Sequence, residues 1–152
     1  MQAQIGPISE GTLRTQDLLE AFTDALEALD TEGIHAGIVA DVDELLDTDP
    51  DEWTDGQDED AAGNLALVFD ALQDYAPPFC YFGAHEGDGA CFGFFVDHDA
   101  IEEAVRSGEA LKVEDSADIP EGETRPVFLV SDHGNLTLLQ PHIEYREVWG
   151  VV

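Results

Sequence analysis

Residues 78–97 read PFCYFGAHEGDGACFGFFVD, two aromatic runs hinged on glycines, and their reading decides the fold class. Aromatic side chains favour a pleated, half-buried surface, and a glycine-bearing tight turn between two such runs is the signal of a β-hairpin. A two-residue Gly87-Asp88 loop pairs Cys80 with Phe95, Phe82 with Gly93, Gly83 with Phe92 and Ala84 with Cys91. Rings then lie over cross-strand glycines and protect weak positions. The same register keeps the two sulfurs out of disulfide reach, so Cys80 and Cys91 are expected as free thiols.

Working outward toward the C-terminus, Asp99-Ala100-Ile101-Glu102 resembles a capping box for a short helix that stops near Ser107, before Gly108. A short strand at 110–114 follows. A second hairpin, VFLVSDHGNLTLL at 127–139, turns at His133-Gly134 and is apolar on both faces, the pattern of strands covered on two sides. The run EYREVWGVV at 144–152 suits an edge strand. Toward the N-terminus, 15–30 is an amphipathic helix with Leu18, Phe22, Ala25, Leu26 and Leu29 on one side and Gly33 as its stop. Residues 34–46 fit a buried strand and a helix equally. A further helix at 61–75 buries Leu65, Val68, Phe69 and Leu72 and ends before Pro77-Pro78. The expectation is a single α+β domain, 1–152, with an antiparallel sheet of about five strands, two hairpins and two or three helices.

Charge is the second decisive feature. Thirty-five Asp and Glu against five Lys and Arg give a formal charge of -30 in 152 residues, with a single Lys. Hydrophobic residues nevertheless make up 43%, including eight Phe, which is a folding composition and not that of an acidic disordered chain. A globule of this length has a radius of gyration near ~15 Å, and a comparable ~40 Å of B-DNA carries about 24 phosphates. The charge densities match. Such acidity excludes nucleic acid and anionic membranes as direct partners and makes a basic protein surface the complement. The start of the chain lacks a basic, apolar signal segment, and no apolar run has spanning length, so a soluble, cytoplasmic protein with free thiols is expected.

Two acidic groups are the candidate partner-binding residues. Asp17, Glu20, Asp24 and Glu27 form one stripe of the first helix, opposite its apolar side, with no base interrupting. Residues 41–60 hold eleven carboxylates and no base: Asp41, Asp43, Glu44, Asp47, Asp49, Asp51, Glu52, Asp55, Asp58, Glu59 and Asp60. Pro50, Trp53 and Gly56 make 47–60 read as an acidic loop. An ordinary solvated helix face would intersperse Lys and Arg for i,i+4 pairing, and these do not.

His85, Asp88, Asp97, His98, Asp99, Asp132, His133 and His142 are of metal-ligating type, but no HExxH, CxxC pair or EF-hand spacing organises them. His85 and His133 sit at turns, where polar residues serve the backbone. Neither Cys80 nor Cys91 lies in a nucleophile elbow, and Gly87-Asp88-Gly89 is a hairpin turn and not a phosphate loop. No catalytic residue, metal or cofactor is therefore assigned.

The segments GTLRTQDLLEAFTDAL (11–26), YAPPFCYFGAHEGDGACFGFF (75–95) and VSDHGNLTL (130–138) resemble a group of small acidic proteins of bacteriophages and mobile elements. The resemblance implies a setting in host cytoplasm, among antagonists of host machinery that include DNA mimics of anti-restriction type. The function expected is a non-catalytic inhibitor that occupies the DNA-binding surface of a basic host protein; a homodimer is compatible with it. Its rival is a domain of a halophile or its virus whose acidity is salt adaptation. A weaker rival is a metal-assisted enzyme built on the hairpin histidines.

Overall fold

The aromatic hairpin is present, as β2 (Cys80–His85) and β3 (Asp88–Val96), and it is joined by an unexpected N-terminal strand, β1 (Gly6–Glu10), in the antiparallel order β1-β3-β2. The computed structural model describes residues 2–142 and 149. It divides into two compact units, Met1–Asp97 and His98–Val152. The class is α+β, but the strands form two three-stranded sheets and not one sheet of about five.

The hairpin register differs from expectation by one residue. Phe82 faces Phe94, Gly83 faces Gly93 and Cys80 faces Val96, because the tight turn is Glu86-Gly87 between His85 and Asp88, with an irregularity between Ala84 and His85. A one-residue slip exchanges faces, so the observed register puts Phe82 and Phe94 on one side, where the expected one paired Phe82 with Gly93 and put Phe94 on the opposite face. His85 and Asp88 serve the turn: His85 Nδ1 accepts from Gly87 N at 3.0 Å, and Asp88 Oδ1 accepts from Ala90 N at 3.0 Å.

The glycines accordingly have other roles than cross-strand shelter. The Tyr81 ring lies over Gly83 of its own strand, 3.2 Å from where a Cβ would be. At Gly93 a Cβ would stand 2.1 Å from the Gly6 carbonyl oxygen, so only glycine lets β1 approach β3.

Three helices build the core on the Phe82–Phe94 side, the first and third against the strands and the second against those two helices. They are α1 (Thr15–Leu29), α2 (Ala36–Leu46) and α3 (Asp55–Gln73), which makes α2 the resolution of the ambiguous 34–46 segment. Leu18, Leu19, Phe22 and Leu26 of α1 are buried, with Val39, Val42 and Leu45 of α2 and Val68 and Leu72 of α3. Phe22 meets Phe82 edge-on at 5.0 Å and Phe92 at 5.6 Å, and Phe69 meets Phe82 at 5.0 Å. Each fully buried ring of this kind stabilises the fold by roughly 1.5–3 kcal/mol. The Gln73 side chain closes the free edge of β2: its amide NH2 donates to the Phe82 carbonyl, and its oxygen accepts from Phe82 N at 3.2 Å.

The expected loop at 47–60 is loop only as far as Thr54. Asp49 caps a 3-10 turn, Pro50–Glu52, and the Trp53 indole donates to the Thr48 carbonyl at 3.2 Å while packing against the core. Thr54 and Gln57 then make a reciprocal capping box, Thr54 N to Gln57 Oε1 at 3.1 Å and Gln57 N to Thr54 Oγ1 at 3.4 Å. The helix therefore starts at Asp55, with Asp55 and Asp58 in its first turn, where the helix dipole favours negative charge.

The second unit holds α4 (His98–Ser107), β4 (Leu111–Val113), β5 (Val127–Val130) and β6 (Leu136–Leu139), with sheet order β4-β5-β6. The 127–139 hairpin is present and β5 is central, but the expected cover on both faces is not found for β6, an edge strand with no fully buried residue and with Leu139 exposed. β4 runs parallel to β5, which corrects the all-antiparallel expectation. The crossover at 114–126 is irregular chain with a 3-10 turn, Ser116–Asp118. Asp99 lies inside the first turn of α4, not at a cap before it, and Gly108 ends the helix at φ 82°. The edge strand expected at 144–152 falls outside the described residues apart from Trp149.

Candidate anionic interaction surface

In the α1 stripe the alternation of sides is as the periodicity requires, since Leu18, Phe22 and Leu26 are buried while Glu20, Asp24 and Glu27 are exposed. Asp17 is half-buried, and its Oδ2 accepts from the Thr12 hydroxyl at 2.6 Å, so part of its capacity is used inside the fold. The second acidic group is spread over α2, the 3-10 turn and the start of α3. Asp41, Asp43, Glu44, Asp47, Asp49, Asp51, Glu52, Asp55, Asp58, Glu59 and Asp60 are all exposed.

Helix packing sets ten of these fifteen residues around three clefts of the first unit, while Asp24, Asp47, Glu52, Asp55 and Asp58 line none of the three. One of about 340 Å³ sets Asp17 and Glu20 of α1 beside Asp49 and Asp51 of the 3-10 turn. A second, of about 360 Å³, sets Glu27 and Asp30 beside Asp43 of α2. The largest, about 840 Å³, runs between α2 and α3 with Asp41, Glu44, Glu59 and Asp60 around Leu45, Gly63 and Leu67. Among the described residues that line these three clefts, Arg14 is the one base. The largest cleft brings together carboxylates nineteen positions apart in the chain, Asp41 and Asp60.

The helix ends add to the negative field. α1, α2 and α3 each lack a basic residue in the last turn, and Asp43 and Glu44 occupy that place in α2. Carboxylates there oppose the helix dipole, where cations would be favoured. Asp30 is different, because it closes the connection to α2 by accepting from Ile34 N at 2.9 Å and His35 N at 2.6 Å. Burial pushes its carboxyl up, but those N–H groups and the Tyr75 hydroxyl outweigh burial and hold it below its ordinary value.

The described bases elsewhere include two with acidic partners. Arg106 pairs with Glu103 at 3.0 Å on the surface of α4. Arg125 grips Glu123 with two contacts, Nε to Oε1 at 2.8 Å and Nη2 to Oε2 at 2.7 Å, and donates through Nη1 to the Gly108 carbonyl at 3.2 Å. The Arg125 side chain, with backbone N–H groups of Arg125 and Thr124, holds the Glu123 carboxyl down at about 2.

Among the described residues no three His, Cys, Asp or Glu side chains are grouped to hold a metal ion. His85 is committed to its turn and packs edge-on against Phe95 at 5.0 Å, and His133 is exposed in the 131–135 turn. Both cysteines are free thiols. Burial, followed by Asp97, pushes the Cys80 thiol up, and burial followed by Glu10 and Asp88 does the same at Cys91, the reverse of what an activated nucleophile requires.

Sequence reasoning missed Gly63, Asn64 and Leu67 as cleft residues. The signal was there in part: the periodicity that turns Leu65, Val68 and Leu72 inward leaves Leu67 facing out, and it is 51% exposed. Among the described residues no helix is long and apolar enough to cross a membrane. Comparison of the chain with family models, with curated proteins and with solved structures finds no match.

Proposed function

We propose that this chain is a non-catalytic interaction protein whose acidic helical face occupies the nucleic-acid-binding surface of a basic partner. The observation that supports it is the convergence of carboxylates from α1, α2, the 3-10 turn and α3 on three clefts whose described lining includes a single base. Carboxylates fixed on rigid helices stand in for phosphate oxygens, each able to accept charge-assisted hydrogen bonds from Lys or Arg. Long-range attraction speeds the encounter and makes the affinity salt-dependent. The phage-protein resemblance fits a host nucleic-acid enzyme as target, with action in the host cytoplasm.

The test immobilises the protein, exposes it to host lysate and adds duplex DNA or an equal charge of polyglutamate. Mimicry requires that DNA displaces the retained basic protein and that polyglutamate does so far less well. Retention indifferent to DNA would end this reading.

A second reading, salt adaptation, has its own observation. Glu102, Glu103, Glu109, Glu114, Asp115, Asp118 and Glu121 are exposed on the second unit, so acidity is not confined to the helical face. Under that reading the charge holds hydrated cations and carries no message to a partner.

A further inference from the structure

Gly63 lies in the interior of α3, nine residues into a helix of nineteen, and a Cβ there would meet nothing within 4 Å. Glycine is the poorest helix former after proline, so Gly63 costs helix stability that an alanine would not. Among the described residues no neighbour crowds the position, in contrast to Gly93, where β1 does. Gly63 lines the cleft between α2 and α3, where its missing side chain leaves bare backbone beside Leu67, which is 51% exposed, and Leu45 beneath. Asp41 and Glu44 of α2 and Glu59 and Asp60 of α3 share the lining with this apolar strip, with no base among the described lining residues.

We propose that this cleft seats one basic amphipathic helix of the partner, with an apolar side chain set down over Gly63 and Leu67 and flanking Lys or Arg reaching the four carboxylates. This rests on the reading of the acidic face as a partner-binding surface and names what that surface grips. The occupant follows from the page. Nucleic acid and a second copy of this chain, at -30 each, are repelled. A purely polar chain would leave Leu67 and the bare backbone at Gly63 uncovered. A groove between two packed helices takes the ridge of a third, and an amphipathic helix in such a groove is a recurrent mode of recognition.

The test uses two synthetic peptides of one composition, each roughly 16 residues so that a helix is attainable. One carries Leu at helical spacing between Arg and Lys; in the other the same residues are scrambled around the helix. The ordered peptide is expected to bind the full chain about tenfold more tightly, the advantage that burying one leucine supplies. Gly63→Leu fills the cleft without changing charge, and its Cβ enters open space, so the fold is retained by circular dichroism while that tenfold preference disappears. Gly63→Ala keeps much of the preference and raises the melting temperature. Equal binding of the two peptides, or a preference that survives Gly63→Leu, overturns the cleft proposal. If equal binding still falls when Asp41, Glu44, Glu59 and Asp60 are made amides, the acidic-surface reading stands without it. If neither peptide binds, the cleft proposal is likewise wrong, and the DNA displacement decides the broader reading alone.

Discussion

Two residues of this chain decide more than their neighbours, and for opposite reasons. Gly93 is indispensable through an absence: a methyl group there would sit 2.1 Å from the Gly6 carbonyl oxygen and 2.7 Å from Pro7 Cα, both backbone atoms that cannot swing aside. Gly93→Ala is therefore expected to push β1 off the sheet and destabilise the first unit by about 2–3 kcal/mol, at the upper end of overpacking effects. Urea unfolding with hydrogen exchange of the β1 amides checks it, and unchanged protection of those amides would contradict the assigned strand order. Glu123 matters through what it holds. Its pKa is lowered in the fold from 4.5 to about 2 by Arg125 and neighbouring backbone N–H groups. A depressed carboxylate contributes stability that is full above its unfolded pKa and lost as pH falls through its folded one. The second unit should accordingly weaken between pH 4.5 and 2, and Glu123→Gln should be less stable at neutral pH and flatter across that window. Chemical-shift titration of Glu123 provides the direct readout; a midpoint near the ordinary glutamate value would show that the Arg125 grip is absent in solution.

At the level of elements, what could be read from the chain divides cleanly by how local its cause is. The hairpin, α1, the 127–139 hairpin and the stop at Gly108 rest on local pattern, and they are where the residues place them. β1 is different: it contains Gly6, Pro7 and Glu10 with Ile8 as its one large apolar residue, and it exists because Gly93, more than eighty residues away, leaves room for it. The one-residue shift at the turn depends on two side-chain bonds from His85 and Asp88 that alternation alone does not encode. β4 has three residues and no period of its own, so its parallel pairing was not legible. The start of α3 was legible in Thr54 and Gln57 but was outweighed by the density of Asp and Glu around Gly56, which reads as loop. The carboxylates of the site were visible individually, whereas the clefts that group them are products of helix packing. The capping box yields its own prediction. Thr54→Ala should lower stability by about 0.5–2 kcal/mol and fray the first turn of α3. That loss would appear as reduced helical circular dichroism. Full retention of both signals would mean that the acidic first turn sustains itself without the cap.

For the molecule as a whole the unsettled balance is between self-repulsion at -30 and the apolar core, and the two functional readings place it differently. The ring cluster of Phe22, Phe69, Phe82, Phe92 and Phe94 offers enough burial that the chain should keep its structure at ordinary ionic strength, where charges are screened beyond ~8 Å. Circular dichroism over a salt series checks this: unfolding below roughly 0.5 M with recovery at higher salt, where screening shortens to ~3 Å near 1 M, would favour salt adaptation. Retained structure leaves the placement of charge as the deciding variable. Mimicry needs carboxylates at particular positions, whereas solvation needs only their total. Glu20, Asp24, Glu27 and Asp43 are exposed on α1 and α2; Glu102, Glu109, Glu114 and Asp118 are equally exposed on the second unit. Asp17 and Asp115 are better left intact, since Asp17 accepts from Thr12 and Asp115 caps a 3-10 turn. Converting the first four to amides should weaken binding to the DNA-displaceable partner by roughly 30- to 1000-fold, the sum of four exposed ion pairs at about 0.5–1 kcal/mol each. Stability should hold or rise, because like-charged neighbours on one helix are relieved. The second four, removing the same charge, should change affinity by no more than the shared loss of long-range attraction. Calorimetry on both variants separates the mechanisms: equal losses would make the protein an undifferentiated polyanion, and only an unequal loss is compatible with carboxylates standing where phosphates would.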